Sequence, residues 1–280
     1  MLMKEQRQII DLIHSLFSAS FPELEVSPSA FSHLLEWENA DISTFEAEGK
    51  TAGCAVTQGN ALRLLCVLPD YQKRGIGTAL LRQAEQRVRD SGAKEIVIGG
   101  SGTHLFVGAP EKSKGFFDRQ GYDFSGRYDE MRGDLSAFHA ADFSLPVPDG
   151  VQFGWYQGDI ERLREAVAKV DEDWPQYFQA DSSVFCATVN GEIASFCNVD
   201  VWENCLLSNG KNKVGAPGCV GTVPEYRKKG IGLKMVALAC EELKKQGCDT
   251  CFIHYTGVAD WYAKLGFRVF LSWYKGKKTL

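Results

Sequence analysis

Apolar residues along this chain follow strand and helix periodicities in an order that occurs twice. In the first half, the pattern predicts helices at residues 4–17, 28–37, 74–90 and 112–120, and strands at 44–47, 52–57, 62–68, 95–98 and 127–132. In the second half, it predicts helices at 159–170, 229–246 and 258–264, and strands at 151–156, 184–189, 193–200, 219–223, 250–254 and 268–274. Strands that are mixed with helices in this way predict an α/β fold in which each half forms a sheet flanked by helices.

A nine-residue motif lies between a predicted strand and a predicted helix in both halves. It reads Pro-Xaa-Tyr-Xaa-Lys-Xaa-Gly-Ile-Gly and begins at Pro69 and again, 155 residues later, at Pro224. A chain that leaves a strand, turns through glycines and opens a helix presents unpaired N–H groups and the positive end of the helix dipole to one point. Glycine lets a phosphate approach the main chain, and the basic and amide side chains add donors. The motif therefore predicts two phosphate-binding loops.

Two common nucleotide-binding loops are excluded. No segment reads Gly-Xaa4-Gly-Lys-Ser/Thr, and residues 75–80 lack the third glycine of the dinucleotide fingerprint. The ligand is predicted to be a phosphate carrier of another kind.

The residues around the motif resemble the GNAT superfamily of N-acyltransferases. Gln/Arg-Xaa-Xaa-Gly-Xaa-Gly after an apolar strand is similar to its acyl-CoA pyrophosphate loop, and Asp-Trp-Tyr-Ala-Lys-Leu-Gly-Phe at 260–267 is similar to its Tyr-Xaa3-Gly-Phe ending. A counterpart of that ending stands at 115–122, so the resemblance covers nearly the whole chain. It implies two tandem domains, each a mixed and mostly antiparallel sheet flanked by helices, with acetyl-CoA as the co-substrate.

The resemblance also implies which residues bind the cofactor: both loops and the end of the strand before each. In the first half these residues are Val67, Leu68, Gln72, Lys73, Arg74, Gly75, Ile76, Gly77 and Thr78. In the second half they are Thr222, Val223, Arg227, Lys228, Lys229, Gly230, Ile231, Gly232 and Leu233. The peptide groups of the strand-end residues are expected to pair with the pantetheine arm and to place the thioester carbonyl near backbone donors.

The length of the chain and a turn-rich segment predict two domains. A chain of 280 residues is long enough for two cores, and residues 145–150 read Leu-Pro-Val-Pro-Asp-Gly. We expect an N-terminal domain at 1–145 and a C-terminal domain at 150–280. The spacing from Gly75 to Phe117 is 42 residues, against 32 from Gly230 to Tyr262, so the first half carries an insertion around 99–108 that is a candidate cap over a pocket or the neighbouring domain.

Composition and charge exclude several classes of partner. The chain is 44% hydrophobic and 24% charged, which is typical of soluble globular proteins, and its net charge of −5 argues against a nucleic-acid binder. No apolar stretch approaches the ~18 residues that span a bilayer, and the N-terminus lacks the pattern of a secretory signal. We expect a cytoplasmic protein, monomeric or homodimeric, without a membrane or nucleic-acid partner.

The nine cysteines mostly lie inside apolar strand or helix patterns. Their odd number and positions predict buried free thiols in a reducing compartment. Cys248 and Cys251 form a Cys-Xaa-Xaa-Cys sequence, but no second pair stands at zinc-finger spacing, so no metal is expected.

Tyr262 is the candidate catalytic residue. When an amine attacks a thioester, the expelled thiolate leaves more readily if a nearby acid supplies a proton. Tyrosine, with a pKa of about 10, holds its proton at neutral pH. Tyr262 stands where the family's phenolic acid commonly stands, whereas the first half has Phe117, so we expect catalysis in the C-terminal half. The alternative is that this ring only packs under the cofactor.

No general base stands out. Asp200, Glu203, His254 and Asp260 lie near predicted strand ends that could face the acceptor. Each also fits a solvated or hydrogen-bonded residue, and proton loss through water is equally open.

The sequence therefore predicts a tandem-GNAT N-acyltransferase that moves an acetyl group from acetyl-CoA to a primary amine of a small molecule or peptide. The N-terminal domain is expected to bind CoA or to shape the acceptor site. Two alternatives stay open: a non-catalytic CoA-responsive binding module, and a tandem transferase that uses another acyl donor.

Overall fold

The computed structural model of the chain describes residues 2–35, 37, 39–100 and 105–280. Up to the middle of the chain, the elements are α1 (Leu2–Ser20), α2 (Pro28–Leu34), β1 (Ala40–Ala47), β2 (Lys50–Gln58), β3 (Ala61–Val67), α3 (Ile76–Asp90), β4 (Glu95–Ile98), β5 (Ala109–Pro110), α4 (Glu111–Asp118) and β6 (Asp123–Asp134). They continue as β7 (Val151–Trp155), α5 (Ile160–Ala168), β8 (Val184–Val189), β9 (Glu192–Val201), β10 (Val214–Thr222), α6 (Ile231–Lys245), β11 (Thr250–Thr256), α7 (Ala259–Ala263) and β12 (Arg268–Thr279). No helix among these described residues is both long enough and apolar enough to cross a bilayer.

The chain folds into two compact units whose composition does not follow the chain order. Unit 1 consists of residues 1–128, 203–211 and 271–280, and unit 2 consists of residues 129–202 and 212–270. Each unit therefore contains residues from both halves of the sequence. The domain boundary predicted at 145–150 lies between the two sequence repeats, and it remains a prediction.

Unit 1 contains a mixed sheet in the order β1-β2-β3-β4-β12, with β5 beside β12. All of these neighbours are antiparallel except β3 and β4, which pair in parallel at Ala61↔Val97 and Leu62↔Ile98. Helix α3 buries one stripe against this sheet, including Ile76, Leu80 and Val88. The spacing of these residues is that of an amphipathic helix, and the burial of their side chains holds the helix on the sheet.

Unit 2 repeats this arrangement with the order β6-β11-β10-β9-β8-β7. Only β10 and β11 are parallel, and they pair at Val214↔Thr250 and Gly215↔Cys251. Helix α6 packs its apolar side on one face of the sheet, and α5 packs on the cluster that contains Phe196. The two helices thus cover opposite faces, because Cys197 and Phe196 are neighbours in β9 and neighbours in a strand point to opposite faces.

The C-terminal end of the chain completes the core of unit 1. Trp273 on β12 is 1% exposed, and its ring centroid lies 4.9 Å from that of Phe106. Lys278 on the same strand forms an ion pair at 2.9 Å with the buried carboxylate of Glu85 on α3. A buried charge needs such a partner, so the last strand supplies both apolar area and charge compensation to this unit.

The sequence pattern predicts the order of these elements correctly except for the two-residue strand β5, which it does not predict, and the other differences lie at the ends of elements. The predicted helices at 74–90 and 229–246 begin later, at Ile76 and Ile231, because Gly75 and Gly230 just before them have left-handed backbone conformations. Two 3₁₀ turns that were not predicted, Pro69–Tyr71 and Pro224–Tyr226, precede the loops. The predicted strand at 219–223 is the end of the longer β10. Of the insertion at 99–108, residues 101–104 lie outside the described residues, while 105–107 are buried.

Candidate functional site

The second glycine loop ends in a left-handed turn that opens α6. Lys228 has φ of 61° and Gly230 has φ of 78°, a conformation that glycine adopts without steric cost. A Cβ on Gly230 would overlap the carbonyl oxygen of Pro146, and one on Gly232 would lie 2.5 Å from the hydroxyl oxygen of Thr222. No side chain caps the N-terminus of α6. Its first N–H groups therefore have no helical partner and lie beside the loop.

A cavity of about 630 Å³ opens beside this turn, lined by β10, the loop, α6 and α7. Three exposed cations, Arg227, Lys228 and Lys264, belong to its lining, together with Trp261 and Tyr262. Positive side chains and a helix N-terminus at one cavity form an environment that favours an anionic ligand.

The cavity lies where β10 and β11 separate. The two strands pair only at their first residues, and the lining residues 220–222, 258, 261 and 262 come after those pairs. The register of β10 against β9 shifts between Gly218 and Gly221, where Cys219 has φ of 47°. This bulge re-aims the main chain of β10 beside the gap. An extended ligand arm can lie in such a gap because the strand edges there are not paired with each other.

Two strand-end residues in each half, Val67 and Leu68 and then Thr222 and Val223, are predicted to contact the cofactor. In each half, the N–H group of the second residue is already hydrogen-bonded within its sheet. The N–H of Val223 donates to the carbonyl of Ala194 at 3.0 Å, and that of Leu68 donates to Ala52 at 2.9 Å. Because alternate residues of an antiparallel pair face opposite sides, the main-chain groups of the preceding residue, Thr222 in the second half, face away from β9. The carbonyl of Thr222 accepts a hydrogen bond from Arg227 Nε at 2.9 Å.

Tyr262 lies in the wall of the cavity and is only 6% exposed. It belongs to the core cluster around α6, and its ring packs edge-on against Trp261 with centroids 4.8 Å apart. Burial, with smaller contributions from nearby thiols, raises the pKa of the Tyr262 phenol above its ordinary value. The phenol is therefore protonated throughout the neutral range.

The first loop has the same backbone but a different charge environment. Lys73 has φ of 61° and Gly75 has φ of 83°. Arg74 Nη1 lies 3.1 Å from a carboxylate oxygen of Glu48, and Tyr71 donates its hydroxyl to the same carboxylate at 3.0 Å. The hydrogen bond from Tyr71, and to a smaller extent that from Arg74, holds the pKa of the Glu48 carboxyl below its usual range. An acidic side chain thus offsets part of the positive charge of this loop, and the position of Tyr262 is taken by the buried Phe117.

The four candidate bases lie in different parts of the structure. Glu203 belongs to unit 1, whereas the other three belong to unit 2. Loss of solvation raises the pKa of the Asp200 carboxyl on β9. Asp260 lies in the first turn of α7. His254 on β11 has a carboxyl partner, because its Nδ1 lies 3.0 Å from Glu130 Oε2.

Glu130 is a residue that the sequence pattern does not single out. It lies on β6 and is 0% exposed. The signal available in the sequence is weak, because Glu130 is one of two adjacent acidic residues in a predicted strand and its burial depends on pairing with β11.

Comparison with known proteins agrees with this fold. Residues 18–135 match a family model described as an acetyltransferase (GNAT) domain, and residues 153–267 match one described as the acetyltransferase (GNAT) family. The chain belongs to the GNAT superfamily of acetyltransferases and carries two such domains in tandem. No curated protein is similar enough to match.

Several solved structures share the fold. One is the GCN5-related glucosamine N-acetyltransferase region of a fungal multi-domain GH3 β-N-acetylglucosaminidase, with 21% identity, a TM-score of 0.75 and coverage of 96% of this chain but 37% of the fungal one. A GCN5-related N-acetyltransferase from Sphaerobacter thermophilus has 20% identity and a TM-score of 0.67 over 95% of this chain and 90% of its own. A tandem GNAT protein from the clavulanic acid biosynthesis pathway has 15% identity and a TM-score of 0.56 over 86% and 83% of the two chains. At these identities the similarity establishes the fold.

Proposed function

We propose that this acyltransferase moves an acetyl group from acetyl-CoA to a primary amine of a small molecule or peptide, and that unit 2 carries the reaction. The observation that supports the proposal most strongly is the composition of one cavity. It combines the cations Arg227 and Lys228, the open N-terminus of α6, the gap between β10 and β11, and the phenol of Tyr262.

Acetyl-CoA fits the residues around this cavity. The pyrophosphate carries negative charge, which suits the helix N-terminus and the basic loop. The pantetheine arm has amide groups that can bond to exposed main chain, and Thr222 faces the gap where such an arm would lie. Tyr262, which keeps its proton at neutral pH, is proposed to protonate the departing thiolate.

We propose that the first loop also binds CoA, and more weakly. Its backbone has the same left-handed turn before α3, which favours phosphate. The carboxylate of Glu48 beside Arg74 disfavours a second anion there. Because Phe117 has no proton to donate, this half is proposed to bind without reacting.

The proposal is tested by measuring thiol release from acetyl-CoA in the presence of a panel of primary amines, including amino acids, polyamines, peptides and amino sugars. Glucosamine belongs in the panel because the fungal structural relative is a glucosamine N-acetyltransferase region. We expect amine-dependent release of free CoA and an acetylated product by mass spectrometry. The matched variants are Arg227→Ala with Lys228→Ala, which should raise KM for acetyl-CoA, and Gln72→Ala with Lys73→Ala, which should change it less.

Two results would contradict the proposal. Binding of CoA without turnover on any amine would favour the non-catalytic binding module. Greater loss of activity in the Gln72 and Lys73 pair than in the Arg227 and Lys228 pair would assign the reaction to the other half.

A further inference from the structure

The buried carboxylate of Glu130 holds a bulge in β11. The register between β11 and β6 shifts between Ile253↔Met131 and Thr256↔Asp129, so His254 and Tyr255 lie inside the irregular stretch. Tyr255 has φ of 55°, and its backbone N–H donates to Glu130 Oε2 at 3.0 Å. The same oxygen lies 3.0 Å from Nδ1 of His254. One buried carboxylate thus fixes the backbone of the bulge and the ring of the histidine together.

This contact favours one tautomer of His254. An ionised Glu130 would only accept hydrogen bonds, which would place the proton of the neutral ring on Nδ1 and the lone pair on Nε2. The described groups that pack around the ring include Glu130 from β6 and three aromatic rings. The ring centroids of Trp202 after β9, and of Phe252 and Tyr255 on its own strand, lie 5.8, 5.5 and 6.0 Å from that of His254. The imidazole is about 20% exposed, whereas Glu130 is fully buried.

The strand register places His254 across the gap from the bulge of β10. The last parallel pair is Gly215↔Cys251. Three residues further along each strand, roughly 10 Å at ~3.3 Å per residue, stand Gly218 and His254. Gly218 begins the irregular stretch of β10 that leads to the cavity. His254 is therefore level with Gly218, two residues before Val220, where the lining of the cavity begins on β10.

His254 and Tyr262 lie on opposite sides of the sheet of unit 2. Cys251 and Ile253 belong to the core cluster that contains the α6 residues and Tyr262. The ring of His254 packs instead with Phe252 and Trp202, which are absent from that cluster and alternate with its strand residues. An amine on the side of His254 would approach the thioester carbonyl carbon from one side of the sheet. Tyr262 would donate its proton to the thioester sulfur from the other side.

We infer that His254 is the general base of the acetyl transfer, with Glu130 as its positioning residue; this rests on the proposed function. The amine nitrogen forms a bond to the carbonyl carbon, and His254 Nε2 takes the proton that this nitrogen releases. The C–S bond then breaks, and the thiolate takes a proton from Tyr262. The products are the acetylated amine and CoA thiol, and solvent returns the proton from the imidazolium to the phenolate. Glu130 stabilises the imidazolium while it exists.

The test compares His254→Asn with the wild type. Asparagine places an N–H donor near the position of Nδ1, so the bond to Glu130 can persist, but it has no basic nitrogen in place of Nε2. With the best amine of the panel, we expect kcat/KM to fall by about 10² to 10⁴-fold, with little change in acetyl-CoA binding. The low-pH limb of the rate profile should also disappear, since it reports loss of the proton from His254. Glu130→Gln should shift that limb, which a purely structural role would not do.

The outcomes separate failure of this inference from failure of the proposed function. Absence of wild-type turnover on every amine would refute the function itself. Wild-type turnover together with a His254→Asn variant that keeps at least half of kcat/KM and the same low-pH limb would refute the base. If the variant does not fold, nitrogen-15 NMR of the imidazole in the wild type decides, because a neutral ring protonated at Nε2 would also overturn the inference.

Discussion

Tyr262 is held in a wall of the cavity where burial favours the neutral phenol. Its pKa is raised, so the residue keeps its proton throughout the neutral range. The corresponding Phe117 occupies a buried position in unit 1 with a ring of similar size. At this position, the hydroxyl is what distinguishes the proposed reacting half from the proposed binding half.

Removal of that hydroxyl should separate chemistry from packing. In Tyr262→Phe the ring remains, and we expect kcat to fall by about 10² to 10⁴-fold while CoA affinity changes little. Because its raised pKa keeps the phenol protonated at pH 8 to 9, ionisation of Tyr262 should not lower the wild-type rate in this range. The measurement is the rate of CoA thiol release across this pH range, with binding by calorimetry.

Tyr226→Phe is the matched control, because Tyr226 contributes a second phenol to the lining of the same cavity. This variant should keep most of kcat. A Tyr262→Phe variant with at least half the wild-type kcat would leave Tyr262 as a packing residue and reopen the choice of catalytic half.

At the scale of the residue, the sequence predicts those side chains whose position a local motif determines. Tyr262 and the loop cations stand at fixed distances from glycines, so their place in unit 2 follows from short-range spacing. Glu130 and His254 meet through pairing between β6 and β11, which are separated by more than a hundred residues. The pattern of one strand contains no information on the partner that the strand will meet.

At the scale of the element, the two glycine loops provide a matched pair of positions. Gly75 and Gly230 both end their loops with a positive φ, at 83° and 78°. A Cβ on Gly75 meets nothing within 4 Å, whereas one on Gly230 meets the main chain of Pro146. Any side chain is disfavoured by the backbone at both positions, but only Gly230 also has a fixed obstacle.

Alanine substitution should therefore harm the second loop more. Gly75→Ala should cost about 1 kcal/mol of stability through its backbone conformation. Gly230→Ala should cost more, because a backbone carbonyl must also move, and it should weaken acetyl-CoA binding by displacing the start of α6. Thermal unfolding and calorimetric titration of both variants measure these effects. Equal losses in the two variants would show that the contact with Pro146 relaxes freely.

The loops also show what the sequence predicts at this scale. Strand, loop and helix follow in the predicted order in both halves, since the apolar periodicity and the glycines are local signals. The 3₁₀ turns were not predicted, because they depend on hydrogen bonds such as that from Tyr71 N–H to Leu68. The exact start of α3 and α6 was not predicted, because it depends on the left-handed conformation of Gly75 and Gly230. The bulge at Cys219 was not predicted either, because it results from the register of β10 against β9.

At the scale of the whole molecule, the assignment of residues to compact units is the feature least accessible to the sequence. Two repeats separated by a turn-rich segment predict two consecutive domains. Residues 271–280 nevertheless belong to unit 1, although they follow the second repeat. Nothing in the local pattern of β12 distinguishes a strand that closes its own sheet from one that joins the sheet of the other repeat.

A substitution near the C-terminus should therefore destabilise residues near the N-terminus. Trp273→Ala removes a side chain that is 1% exposed and packs on Phe106 in unit 1. Loss of a buried aromatic of this size should cost about 3–5 kcal/mol. Hydrogen–deuterium exchange should increase in β4 and α1 of unit 1 before it increases in β10 and α6 of unit 2. Lys277→Ala is the control, because Lys277 on the same strand is 64% exposed and its ion pair with Glu95 should contribute little. Faster exchange confined to unit 2 in Trp273→Ala would contradict the assignment of the last strand to unit 1.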